Sequence, residues 1–113
     1  MKNIYDSCKV IFNFNNKLIE CNRILEMDID EDLDIGTVLY ISSAADSSEL
    51  YKHFKANDNC VVFVEFNTID LTNNPSKTWL TTRKFPNMKI REYRYGYNHD
   101  TYFEVRLRLE KVA

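Results

Sequence analysis

Five carboxylates fall within seven positions of the stretch MDIDEDLDIG (27–36): Asp28, Asp30, Glu31, Asp32 and Asp34. Oxygen donors at this density are what a hard cation such as calcium requires. The spacing fails that test. A calcium loop opening at Asp28 places Asp30 and Asp32 correctly, but needs Gly where Leu33 stands and Glu where Leu39 stands. A loop opening at Asp30 meets Ile35 and Ile41 at the same two places. The stretch therefore reads as an exposed loop between two strands, and a basic partner would relieve the repulsion among its carboxylates.

Nucleophilic chemistry has one candidate pair. Cys60 and His53 lie seven residues apart, and a thiolate beside an imidazole is a working nucleophile. Cys60, however, opens the apolar run CVVFVEF, where burial raises a thiol's pKa and leaves it inert. Cys8, Cys21 and His99 add no spacing that a zinc site would use. Two glycines in 113 residues leave no phosphate-cradling loop. The expectation is a protein without enzymatic activity, cofactor or bound metal.

The number of cysteines is odd, and MKNIYDSCKV lacks the apolar core of a signal peptide. The thiols read as reduced and the place of synthesis as cytoplasmic; a particle assembled there and later released, a virion for instance, fits equally. No apolar run approaches the ~18–20 residues that cross a bilayer, so no membrane partner is expected.

Period-two alternation dominates the elements that must position these side chains. In CKVIFNF, Cys8, Val10, Phe12 and Phe14 share a face, and Asn15-Asn16 suits a tight hairpin turn. KLIECNRILEM reads as one return strand, with Ile19, Cys21, Leu25 and Met27 on one side. Gly36 opens the strand TVLYIS. Asp46 as N-cap and Glu49 three residues later form a capping box for a short helix near 47–56, with Leu50 and Phe54 on one face. CVVFVEF reads as the central strand. WLTTRKF is a further strand that Pro86-Asn87 ends. A closing hairpin follows, MKIREYRY, a turn around GYNHD, then TYFEVRLRLEKV. There Phe103, Val105, Leu107 and Leu109 oppose Glu104, Arg106, Arg108 and Glu110. One α+β domain over 1–113 results, a mostly antiparallel sandwich or small barrel of about six or seven strands with one short helix.

The charge is distributed unevenly. Residues 1–76 hold six Lys or Arg against thirteen Asp or Glu, and residues 77–108 hold eight against three. Net charges of −7 and +5 thus hide within a total of −2. If the closing hairpin lies at one side of the domain, an acidic and a basic face oppose each other. Such faces stack head to tail, steering assembly with copies of the chain or with other subunits. Arg91, Tyr93, Arg94, Tyr95 and Tyr97 form the candidate basic contact surface, and Asp30, Asp32 and Asp34 the opposing one. Two alternatives stand beside this. With Lys89, Arg91, Tyr93 and Tyr95 on one strand face, cations and stacking rings could hold a single-stranded nucleic acid. The cluster Asp28 to Asp34 could instead mimic phosphates, in an inhibitor occupying a host protein's nucleic-acid surface.

The segment MKIREYRYGYNHDTYFEVRLRLEKV also resembles the last hairpin of small baseplate-hub proteins of contractile phage tails. Those hairpins have an aromatic-rich strand, a turn with Gly or Asp, then paired aromatics leading into alternating Leu and a final Glu. The matching positions are Ile90, Tyr93, Tyr95, Asp100, Tyr102, Phe103, Leu107, Leu109 and Glu110, within 25 of the 113 residues. The LysM module common in such proteins has no counterpart here. The resemblance implies a structural component of a phage tail or baseplate.

Overall fold

The structure is a computed structural model describing residues 8–21, 23–32, 36–44, 48–69, 78–97 and 103–112. It consists of β1 (Cys8–Phe14), β2 (Lys17–Cys21), β3 (Ile24–Asp32), β4 (Gly36–Ser43), α1 (Ser48–Ala56), β5 (Asn59–Ile69), β6 (Thr78–Tyr97) and β7 (Phe103–Lys111). All pairings are antiparallel, in one seven-stranded sheet of order β2-β1-β5-β6-β7-β4-β3. The expected class, α+β with one short helix, holds, and the sheet does not close. Asp34, the N-cap Asp46 and, of the expected GYNHD turn, Asn98, His99 and Asp100 lie outside the described residues, while its Gly96 and Tyr97 continue β6 as strand.

Local chemistry sets the first turn. Asn15 and Asn16 both adopt positive φ (51° and 73°), as a two-residue hairpin demands, and the Asn16 N–H donates to Asn13 Oδ1 at 2.8 Å. The expected single return strand, by contrast, is broken in two. Arg23 sits at φ 60°, and the register of β3 slips between Ile24 and Glu26. The slip resets the alternation: Met27 and Ile29 go inward while Leu25, expected in the core, is 48% exposed. The Arg23 carbonyl accepts from Ala44 N–H at 3.1 Å, pinning this corner to the end of β4.

Two further expectations are corrected. Asp28 to Asp32 form strand, not loop, because they alternate with Met27 and Ile29 and pair regularly with β4. Nor does Pro86-Asn87 end a strand: β6 runs through it for 20 residues. Val62 pairs with Phe85 and Cys60 with Met88, so Pro86 and Asn87 together oppose Val61 as a bulge, where a proline without an N–H is tolerated. At about 3.3 Å per residue a straight strand of this length would span about 65 Å. The longest dimension of the molecule is 46 Å. The strand must bend, and its two halves serve different neighbours, β5 before the bulge and β7 after it.

The bend has a packing reason. Six flat strand spacings are about 29 Å across, whereas a nine-residue helix is about 14 Å long and cannot cover them. The sheet therefore curls over its own apolar face. Val10 and Phe12 of β1, Leu39 of β4, Val62 and Val64 of β5, Val105 and Leu109 of β7, and Leu50 of α1 are all fully buried in one cluster. Glu31 at one sheet edge reaches Arg83 of β6 across the curl, an ion pair between strands that are not neighbours.

Asn87 holds the β6 corner. Its φ is 61°, its Nδ2 donates to Val112 O at 2.9 Å, and its carbonyl accepts from Val112 N–H at 2.8 Å. Asn87→Ala loses the side-chain bond and strains the left-handed backbone, for an expected cost of about 2 kcal/mol. Asn87→Gly relieves the strain and loses only the bond, about 1 kcal/mol. Urea unfolding of the two variants checks this order, and equal midpoints would remove the corner's role.

Candidate functional site

The aromatic side chains of β6 take their direction from a second irregularity. The register of β6 against β7 slips between Ile90 and Glu92. Met88 and Ile90 face the core before the slip, and Tyr93 and Tyr95 take that side after it. They thereby meet α1, whose Leu50 is buried in the core and whose Phe54 packs against it. The rings form a continuous ledge: Phe54 to Tyr93 at 6.1 Å, Tyr51 to Tyr93 at 5.2 Å, and Tyr93 to Tyr95 at 6.1 Å. Tyr51 is 38% exposed and Tyr95 68%. Lys55 Nζ lies 5.7 Å from the Tyr51 ring centroid, one helical turn on. At the far side of the helix His53 stacks on Phe14 at 3.9 Å, its Nδ1 2.8 Å from Asp58 Oδ2. The sequence reading missed Tyr51 and Phe54 as partners of Tyr93. The signal was there: Tyr51 adjoins Leu50 and so widens the apolar sector of the helix.

Arg91 and Arg94 lie on the opposite, outer face with Glu92. The expected surface of Arg91, Tyr93, Arg94 and Tyr95 is thus split by the sheet, and the side chain of Tyr97 lies outside the described residues. The grouping of Lys89 and Arg91 with the tyrosines fails for the same reason, since the slip at Ile90/Glu92 reverses the alternation between them.

The outer face is a lattice of both signs. Arg91 pairs with Glu110 at 3.4 Å, Arg94 with Glu92 at 2.5 Å and Arg106 with Glu104 at 3.0 Å. Arg108 lies 3.6 Å from both Glu92 and Glu110. With Arg83 on Glu31, every arginine between residues 77 and 108 holds a carboxylate of its own chain. Exposed pairs contribute at most about 1 kcal/mol each. Glu92 and Glu104 are already counted in the segment's +5, and Glu31 and Glu110 from outside it lower the total to +3, so the arginines are paired and the remaining excess rests on lysines.

The acidic side is less balanced. Residues 24–43 contain no Lys, Arg or His, and Glu26, Asp28 and Asp30 alternate along β3, the last strand of the sheet. Asp30 is exposed; the side chain of Asp32 lies outside the described residues. A groove of about 270 Å³ runs beside this strand, lined by Glu26, Asp28, Tyr40, Ser42 and Arg106. Within it Asp28 Oδ1 is buried without a hydrogen-bond partner. No set of three or more His, Cys, Asp or Glu among the described residues is placed to hold a metal ion.

No protein-family model, no curated protein and no solved structure matches this chain.

The cysteines are free thiols. Burial pushes Cys60 up to about 12. Burial, with Cys21 nearby, pushes Cys8 up to about 11. A thiol of ordinary pKa 9.0 raised in this way stays protonated in the fold and ionises sooner in the unfolded chain. Its contribution to stability is complete below pH 9 and is lost as pH rises toward 11 or 12. Urea midpoints should accordingly fall above pH 9 and fall less steeply in Cys60→Ala. A parent and variant with parallel alkaline profiles would show that Cys60 is not responsible.

Proposed function

We propose that the chain is a non-enzymatic protein–protein assembly unit, docking through the ledge of Tyr51, Tyr93 and Tyr95 onto a copy of itself or another subunit. One observation carries this reading: contiguous aromatic rings, with Tyr51 and Tyr95 exposed on either side of the half-buried Tyr93, stand on a base of sheet and helix. Tyrosine offers large contact area with little conformational entropy to lose, and it is enriched among the residues that dominate binding energy. Neither chemistry nor charge does as much for the other readings. The two perturbed thiols are shifted away from reactivity. Single-strand binding wants cations and rings on one face, and here Arg91 and Arg94 are turned from Tyr93 and Tyr95 and held by Glu110 and Glu92.

The driving force differs from stacking of opposite poles. Intrachain pairing holds the arginines of the closing segment, so association rests on apolar and aromatic burial and responds weakly to salt. The resemblance of residues 88–112 to baseplate-hub hairpins suggests the setting, a phage tail or baseplate.

Sedimentation over a range of protein concentrations tests the reading. The parent should self-associate similarly at low and high salt. Tyr51→Ser with Tyr95→Ser should weaken association by about tenfold or more, while Arg91→Glu with Arg94→Glu should change it little. A parent that sediments as the double tyrosine variant does would sink the proposal.

A further inference from the structure

The geometry points to a second contact, deepening the reading of the chain as a binding unit: the outer edge of β3 receives an extended, arginine-bearing segment of a partner protein as an added strand. β3 is hydrogen-bonded to β4 along one side, from Glu26↔Ser42 to Asp32↔Gly36 in unbroken register, and among the described residues no strand pairs with its other side. An edge of seven regular residues is a full-length template for strand addition, in which the main chain supplies affinity and side chains supply choice.

The choice is written in charge. An incoming strand would run beside Glu26, Asp28 and Asp30, with no basic residue on the β3–β4 hairpin itself; Glu31, on the other face of β3, is already held by Arg83 of β6. A second copy offers no match. Its β3 would set carboxylate against carboxylate, which destabilises a cross-strand pair. Its other sheet edge, β2, places exposed Leu18 and Glu20 in alternation. A partner strand with alternating basic side chains fits where this chain's own edges do not.

The groove narrows the class further. Asp28 stands directly opposite Tyr40, which is 44% exposed, and Asp28 Oδ1 is buried there with no donor. A planar guanidinium can donate to that oxygen while lying on the tyrosine face, which an ammonium matches less well. Beyond Tyr40, Arg108 is held by Glu92 and Glu110, and Arg106 at the end of the groove by Glu104. These cations are therefore partly neutralised before a ligand arrives.

The probe is a peptide of about seven residues alternating Arg with Val, compared with its Lys–Val counterpart and with an Arg–Val peptide carrying a central proline. Titration at low salt should give binding by the Arg peptide, about tenfold weaker binding by the Lys peptide, and none by the proline peptide. Amide exchange should slow selectively over residues 24–32. Asp28→Asn, a near-isosteric change that leaves the fold intact by circular dichroism, should weaken the Arg peptide about tenfold. Equal binding by the proline peptide would reduce the effect to diffuse charge attraction and overturn the proposal, as would no binding at all. The Tyr51→Ser, Tyr95→Ser variant should bind the peptide as the parent does. Failure of strand addition and failure of the tyrosine ledge are therefore read separately.

Discussion

Burying one apolar face of a single sheet with almost nothing to cover it is the constraint on which the remainder of this structure depends. Seven strands present a core-facing row each, and the one helix among the described residues has nine residues. A sheet in that position must either expose Val10, Phe12, Val64 and Leu109 or fold over them, and all four are fully buried. Curling is therefore forced, and curling needs corners. Strand backbone turns sharply where a residue can enter the left-handed region or where an extra residue is inserted. Arg23 and Asn87, both near φ 60°, are corners of this kind, and β6 carries the second one in mid-strand. The helix closes what the curl leaves open, with Leu50 in the core and Lys17 reaching Glu49 at 3.5 Å from the first hairpin.

The corners also decide what the surface displays. Each inserted residue reverses the alternation downstream, so a side chain's face depends on how many slips precede it in its strand. Without the slip between Ile90 and Glu92, Lys89, Arg91, Tyr93 and Tyr95 would share one outward row, a mixed cation–aromatic strip. With it, the tyrosines join Tyr51 and Phe54 beside the helix, and the arginines join Glu92 and Glu110 on the far side. One residue of register separates a surface suited to nucleic acid from one that is aromatic on one face and self-neutralised on the other.

That dependence explains what was legible in the sequence. Strands without slips were readable from alternation alone: β1 with Val10, Phe12 and Phe14 inward, and β7 with Val105, Leu107 and Leu109 inward. The Asn15-Asn16 turn was readable because its chemistry is local. Leu25, Pro86-Asn87 and the tyrosine face were not, since each lies at or beyond a slip whose position is chosen by the curl and so by distant contacts. The acidic stretch misled for another reason. Its alternation of Met27 and Ile29 with Asp28 and Asp30 is a strand pattern, but the density of charge suggests a loop when composition is weighed before period. Net charge by segment misled similarly, because Glu31 and Arg83 are 52 residues apart in sequence and bonded in space.

Why Asp28 and Asp30 meet no cation directly across the ladder follows from where each strand sits. An interior strand such as β7 has neighbours on both sides, so Arg108 can find Glu92 on β6 and Glu110 on its own strand. An edge strand has one neighbour, and β4 brings only Val38, Tyr40 and Ser42 opposite Asp30, Asp28 and Glu26. Like charges along that edge disfavour pairing with the same edge of an identical chain, a familiar protection for open sheets. Protection and recognition are then one property with two signs. A carboxylate row that disfavours its own copy would favour a strand of opposite charge, and Asp28 Oδ1, buried without a hydrogen-bond partner within the chain, would accept from such a strand's donor. The edge least able to pair with itself is in this way the one most selective about what it would accept.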